Sequence, residues 1–382
     1  MFALQMNVPA YFSDPLNYVF PAFCLIAAIQ LFYYLYFFRK LAFYKTKSSE
    51  RSQTYPVSVI ICAKDEAKNL INFLPGVLVQ NYPTTHEVIV VNDNSTDETK
   101  YVLEEYYRSF KQLKIVELKQ EARFIPGKKY PLSVGIKTAK YEIVLLTDAD
   151  CVPASEFWID KMQQQFREGI DVVVGYSPFR KKKGLLNKLV RWEGFHTALQ
   201  YFSYAEKGLP YMGVGRNLSY KKTIFFNQKG FSSFNHLPGG DDDLFINKVS
   251  NARNTATCLD PDTFTITNAP ATWSQWRRQK ARHYTTSRYY KKVHKRLLGL
   301  YALSLFLFYP LMAASFFFFD WKYVLGVFAL RLLIQTIIIY KAAKRLQESD
   351  LTGWLLFFDI WMFFYYLIFA RSLFKKPART WK

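Results

Sequence analysis

Hydrophobicity along this chain follows two rhythms. At the ends it runs in long unbroken blocks, and in the middle it comes in short blocks divided by polar stretches. Tyr18 to Phe38 holds 21 residues without a formal charge, and a helix of that length crosses about 30 Å of hydrocarbon. Three more apolar runs lie at about 297–319, 323–340 and 352–374. The break Asp320-Trp321-Lys322 between the first two is short enough for a tight helical hairpin. In the middle, VSVIICA at 57–63, EVIVVND at 87–93, KIVEL at 114–118, EIVLLTDAD at 142–150 and DVVVGY at 171–176 predict strands. Helical patterns at 66–80, 96–110, 127–139 and 155–168 fill the intervals, and Thr96-Asp97-Glu98-Thr99 reads as a capped helix start. Apolar strands alternating with helices predict an α/β fold with a mostly parallel sheet covered on both faces.

Charge sets the expected orientation. Arg39, Lys40, Lys45 and Lys47 follow the first apolar run, whereas residues 1–17 carry only Asp14. The positive-inside rule then puts the N-terminus outside and the middle domain on the cytoplasmic side of an inner (plasma) membrane, in a multi-pass chain. A cleaved signal peptide lacks its basic n-region and its small-residue cleavage site here. Four crossings would leave the C-terminus outside, yet Lys341, Lys344, Arg345, Arg371, Lys375, Lys376, Arg379 and Lys382 favour the inside. One C-terminal run is therefore expected to be re-entrant or interfacial. Arg331 and Asp359 lie inside apolar runs, where charge is costly. Mutual pairing or snorkelling is the first reading, and a path for a lipid or sugar the second. The expected organisation is an anchor at 1–40, an α/β domain at 41–270, a basic interfacial region at 271–296, and transmembrane or re-entrant helices at 297–382.

The 382 residues carry 51 Lys+Arg against 30 Asp+Glu, a net charge of +21, yet 50% are hydrophobic. That excludes a disordered basic tail, and four Cys exclude a disulfide scaffold. Nine Lys/Arg crowd residues 277–296, interleaved with Tyr284, Tyr289 and Tyr290, and no acid occurs between Asp262 and Asp320. Because this collar leads directly into an apolar run, its expected partner is an anionic membrane surface and not nucleic acid. Arg180 to Lys183 and Lys188 form a second basic cluster for the same surface.

Three strands end in polar groups: Lys64-Asp65-Glu66, Asn92-Asp93-Asn94 and Asp148-Ala149-Asp150. In parallel sheets, functional residues gather at these carboxyl ends. GxGxxG after the first strand, GxxxxGK[ST], HExxH, CxxC and GxSxG are all absent from the sequence. What remains is a carboxylate-rich site, and carboxylates suit Mg2+ or Mn2+. The buried cysteines read as small hydrophobes.

Seven motifs in order, from about Pro56 to His283, resemble those of GT-A, family-2 glycosyltransferases. They are PVSVIICAKDEAKNL, EVIVVNDNSTDET, GKKYPLSVGI, LLTDAD, GVGRNLSYKKTIF, GGDDDLFINKV and QKARH. The resemblance implies a GT-A (Rossmann-like) domain and an inverting, metal-dependent sugar transfer from a nucleotide sugar, a UDP- or GDP-sugar, to a lipid-linked or glycan acceptor. It implies that Asp93 contacts the base and that Asp65 or Glu66 lines the same pocket. Lys128 would meet the diphosphate, Asp148 the ribose or metal shell, and Asp150 the metal. Gln279, Arg282 and His283 would face the donor. Asp241 aligns with the acid that takes the acceptor proton, with Asp242 as the alternative, while Asp243 reads as capping or orienting the helix that follows. Asn217 reads equally as a ligand contact and as a loop-structuring residue. Two positions depart from the family pattern: Gly240 stands where Glu is usual, and His283 where Trp is usual, which favours single addition over processive synthesis. Two other functions compete with transfer. A nucleotidyltransferase would carry a glycine-rich loop where this chain has CAKDEAKN, and a non-catalytic membrane assembly partner would not need the intact acids.

Overall fold

The computed structural model describes residues 18–45, 54–119 and 125–370. Asp14, Lys47, Arg371, Lys375, Lys376, Arg379 and Lys382, which enter the orientation argument, lie outside the described residues. The strands are β1 (Val57–Ala63), β2 (His86–Asn92), β3 (Leu113–Glu117), β4 (Ile143–Asp148), β5 (Cys151–Pro153), β6 (Val172–Val174), β7 (Leu218–Lys221), β8 (Thr255–Thr257) and β9 (Thr265–Thr267). Seven of them form one sheet in the order β3-β2-β1-β4-β7-β6-β8, and β5 pairs with β9. The first four run parallel as their apolar pattern predicts, while β7 is antiparallel to both β4 and β6. The sheet is therefore mixed on one side, with β7 arising from the GRNLSYK segment.

Strand residues alternate between two cores, as a period of two demands. Val57, Val59 and Ile61 face one core with helices α2 (Ala67–Leu78), α3 (Thr99–Ser109) and α5 (Trp158–Gln163). Ile60 and Cys62 face the other, with α4 (Lys129–Thr138) and α6 (Leu185–Ala205). Most of α6 is buried, because it lies between the sheet and the apolar helices. Short helices α7 (Lys222–Asn227) and α8 (Asp243–Val249) follow β7, and α9 (Trp273–Ser287) comes after β9.

Among the described residues, four helices are long and apolar enough to cross a membrane: Val19–Ala42, Lys292–Phe318, Trp321–Arg345 and Ser349–Phe369. The first, α1 here, is α-helical to Phe32, winds as a π-helix over Tyr33–Phe38, and resumes at Arg39. The others are α10 (Lys292–Phe318), α11 (Trp321–Arg345) and α12 (Leu355–Ala370), the last preceded by a 3-10 turn. Arg331 and Asp359 form a fully buried, bidentate pair, so the pairing reading holds. Gln335 donates to Asp359 at 2.8 Å, Arg331 donates to Gln30 at 2.7 Å, and Gln30 donates to the Ser304 carbonyl at 2.8 Å. The cluster thereby ties α1, α10, α11 and α12 together. α12 also lies against α9: Trp276 packs on Trp361, Tyr365 and Phe369 with ring centroids 5.8–6.4 Å apart.

Candidate functional site

β1, β2 and β4 end side by side, with Ala63 opposite Asn92 and Cys62 opposite Asp148. The turns that leave β1 and β2 clasp each other. Asp65 accepts from the Thr96 amide at 2.7 Å, while Ser95 accepts from the Asp65 amide at 2.9 Å. Thr99 accepts from the Glu66 amide at 2.9 Å, and Asp97 from the Ala67 amide at 3.1 Å. Asp65 takes a left-handed backbone (φ 53°), which Asp tolerates better than most residues. Its bonds to Thr96 hold its carboxyl below the usual range. The expected cap at 96–99 is thus redirected: Asp97 serves α2 as well as the Thr99 amide, at 3.0 Å, and Glu98 makes no side-chain cap. Asp93 is buried beside this clasp and accepts from Asn94 at 3.1 Å.

Lys128 is the centre of the charge network. Its ammonium lies 2.6 Å from Asp148 and 3.5 Å from Asp241. Burial alone would depress its pKa, but the two carboxylates overcome burial and raise it well above the usual lysine range. The glycine before it explains its position. Gly127 has φ 79°, and a side chain there would start 2.1 Å from the Pro238 carbonyl. Only glycine lets this loop press against the segment that carries Asp241.

Burial raises Asp148 too, yet Lys128, Arg216 and Arg282 bring its net pKa below the usual value. Asp150 moves the other way, raised by burial and then by Asp148. It accepts from Thr267 at 3.1 Å, which fixes its carboxylate against β9. Among the described residues no group of three or more His, Cys, Asp or Glu is placed to hold a metal. Asp148 and Asp150 alone offer two carboxylates, and their mutual repulsion is what a bound cation would relieve.

The three consecutive acids have separate environments. Asp241 meets Lys128. Asp242 caps α8, accepting from the Asp243 amide at 2.7 Å, and also accepts from the Gly215 amide at 2.9 Å. Burial and its two acidic neighbours push it up to about 7. Asp243 is buried, accepts from Tyr290 at 2.7 Å and from Thr286, and so anchors α8 to the segment after α9. Asp242 is the cap residue, and Asp243 orients the helix as expected, accepting from the Leu244 amide at 2.7 Å as well as from Thr286 and Tyr290. Gly240 has φ 98°, and a side chain there would start 2.6 Å from Leu244, so Glu does not fit this turn.

α9 begins with a capping box between Thr272 and Gln275 and is held down by a Lys280–Glu193 ion pair. It brings Arg282 close enough to act on Asp148. His283 is exposed on α9. Desolvation by the surrounding protein, then Lys280, Arg282 and Arg216, shifts its pKa below the usual range. The Gln279 carbonyl oxygen is buried without a hydrogen-bond partner among the described residues.

Arg216 was not among the candidates read from the sequence. Its guanidinium sits 4.7 Å from the Phe179 ring, and its Nε is buried without a hydrogen-bond partner among the described residues. The signal was an Arg flanked by Gly215 and Asn217 just before an apolar strand. Asn217 itself is structural: it accepts from Trp158 at 3.0 Å and donates to the Tyr176 and Thr263 carbonyls. The site thus gathers Lys128, Arg216 and Arg282 around Asp148 and Asp150, with Asp241 beside Lys128.

Comparison with known proteins agrees with this architecture. Residues 58–235 match the family model described as Glycosyl transferase family 2. Poly-beta-1,6-N-acetyl-D-glucosamine synthase of Staphylococcus epidermidis is 29% identical over 175 residues, covering 44% of this chain and 40% of that protein. Beta-monoglucosyldiacylglycerol synthase of a Nostoc species is 29% identical over 118 residues, covering 31% of this chain and 25% of that protein. The chain thus matches well under half the length of either relative. A mannosyltransferase from Pyrobaculum calidifontis, solved with GDP-Man and Mn2+, superposes with a TM-score of 0.56 at 18% identity, over 89% of this chain and 99% of that one.

Proposed function

Residues 58–235 form a glycosyl transferase family 2 domain, and from that premise we propose that the chain is an inverting glycosyltransferase. It moves a sugar from a UDP- or GDP-sugar to a lipid-linked or glycan acceptor at the cytoplasmic face of the membrane. One observation carries the reading: the cations Lys128, Arg216 and Arg282 converge on Asp148 and Asp150, with Asp241 next to Lys128. A diphosphate needs that positive field, and an acceptor hydroxyl needs a carboxylate at its edge.

In this reading, Asp241 takes the proton from the acceptor hydroxyl as its oxygen bonds to the anomeric carbon. The bond from that carbon to the diphosphate oxygen breaks, and the centre inverts. Lys128, held protonated, meets the negative charge that collects on the departing diphosphate, with Arg216 and Arg282. Asp242 is the weaker candidate for base, since its oxygens already accept two backbone amides. Asp150 and Asp148 would hold Mg2+ or Mn2+, for which two carboxylates plus donor phosphate oxygens make an ordinary shell. When bound, the metal supplies further neutralisation of the leaving group. Asp93, Asp65 and Glu66 line the base end, and Gln279, Arg282 and His283 close over the donor. The relatives include one polymer synthase and one glycolipid synthase by name, which supports both acceptor classes.

The test is sugar transfer by the purified full chain from a panel of UDP- and GDP-sugars with Mn2+. Asp241→Asn should lower kcat by roughly 10^2- to 10^4-fold. Full turnover in that variant removes the base assignment. Donor binding, read as a rise in melting temperature, should require Mn2+ in the native chain and be lost in Asp150→Ala even with Mn2+ present.

A further inference from the structure

A groove of about 460 Å3 opens on the outer face of the bundle between α1 and α11, away from the carboxylate site. Ile334, Ile337 and Ile338 line it from α11, and Leu35 lines it from α1. Both stripes follow helical spacing, and both turn basic in the same direction. On α1, Leu35 is followed one turn later by Arg39 and Lys40; on α11, Ile334, Ile337 and Ile338 are followed by Lys341. Arg39 and Lys40 line the mouth of the groove, and the Lys341 ammonium lies 5.0 Å from the ring of Phe43, which also lines it. All three cations are exposed, and among the described residues none has a carboxylate within 4.0 Å. Neighbouring Arg345, by contrast, donates to the Tyr44 carbonyl.

The groove coincides with the π-helical segment Tyr33–Phe38 of α1. A π-turn widens the helix and displaces side chains from their α-helical rows, and such turns recur at functional sites. Leu35, which lines the groove, lies within this turn. An apolar trough ending in three cations that have no carboxylate partner among the described residues matches one kind of molecule, an acyl chain joined to a phosphate. We propose that this groove binds an anionic glycerophospholipid, one acyl chain along Leu35 and Ile337 and the phosphate between Arg39, Lys40 and Lys341. The charge at its mouth selects an anionic headgroup over a zwitterionic one. This site is separate from the proposed transfer reaction, and its test does not depend on that activity.

The full chain in detergent is titrated with phosphatidylglycerol and phosphatidylcholine of identical acyl chains, and bound lipid is counted by native mass spectrometry. Phosphatidylglycerol should bind roughly tenfold more tightly. The double variant Arg39→Gln, Lys40→Gln should bring the two lipids to within about twofold of each other. Ile337→Trp, which fills the trough from an exposed position, should reduce retention of both. Lys344→Gln, a change of an exposed lysine outside the groove, should leave the preference intact. Melting without added lipid identifies any variant that fails to fold, and Ile337→Trp and the double variant provide independent readings. Equal affinity for the two lipids in the native chain, or a preference that survives the double variant, overturns the proposal. So does unchanged retention in Ile337→Trp, or displacement of the lipid by inorganic phosphate, which would mark a free-anion site.

Discussion

Asp241, Asp242 and Asp243 are adjacent in sequence and differ in everything that decides their chemistry. The turn made by Gly240 aims the first at Lys128, gives the second to two backbone amides, and sends the third into the protein toward Thr286 and Tyr290. The sequence motif located this cluster but could not distribute roles within it, because the roles depend on where α8 begins. Asp242 gives a pH prediction with a definite sign. Its pKa is raised from 3.8 to about 7 on folding, so the folded state holds a proton that the unfolded chain releases. Its contribution to stability is fully present below about pH 4 and declines as pH rises toward 7. Asp242→Asn removes that slope, so the melting temperature of the variant relative to the native chain should climb between pH 4 and 7. A difference that stays flat over this window removes the assignment. Motif position singled out Lys128, Asp148 and Asp150, which the structure brings together; it did not single out Arg216, whose partner Phe179 is remote in sequence.

At the scale of elements, the apolar runs predicted the first four strands to within one or two residues. β1 and β4 are buried along almost their whole length, which keeps them apolar, whereas edge strand β3 is only partly buried and carries Lys114 and Glu117. β7 was hidden because its four residues read as part of a motif, and its antiparallel direction depends on pairing with β4 and β6, which no local pattern encodes. Gly127 and Gly240 do the work of joining elements: each lets a loop approach another backbone or side chain where any Cβ would collide. The expected re-entrant or interfacial run is tested at α12, whose stretch Ser349–Phe369 is long and apolar enough to cross a membrane yet lies against α9. Trp361, Tyr365 and Phe369 meet Trp276 on α9 along two turns. Single cysteines at exposed positions Leu356 and Leu367, carrying a fluorophore, should be quenched equally by a quencher at one lipid depth. A difference matching opposite leaflets would make α12 a true span.

For the whole molecule, the ion pair between Arg331 and Asp359 decides how the helices are held. Both are buried and both lie in apolar runs, so neither tolerates the loss of the other. Asp359→Ala should cost about 3–5 kcal/mol by leaving Arg331 buried and unpaired, whereas the double change with Arg331→Met should recover most of that. Thermal unfolding in detergent measures both. The sequence placed these two charges inside the membrane runs and offered pairing as one reading; Gln30, Gln335 and Tyr309 as their supporting partners required the fold.

One hydrophobic core runs from Tyr34 and Phe38 in α1 through α6 to Ile60 and Ile89 in the sheet, and on to Ile338 and Phe358 in the last helices. Ribosomes deliver these parts in order, and the helices that complete the core emerge last. A nascent chain that stops near residue 290 leaves the apolar face of α6 and the upper face of α9 uncovered. Such a fragment is a ward of chaperones and insertion machinery. The core that backs the carboxylate site is then complete only once the last helices have emerged and packed against α1 and α6.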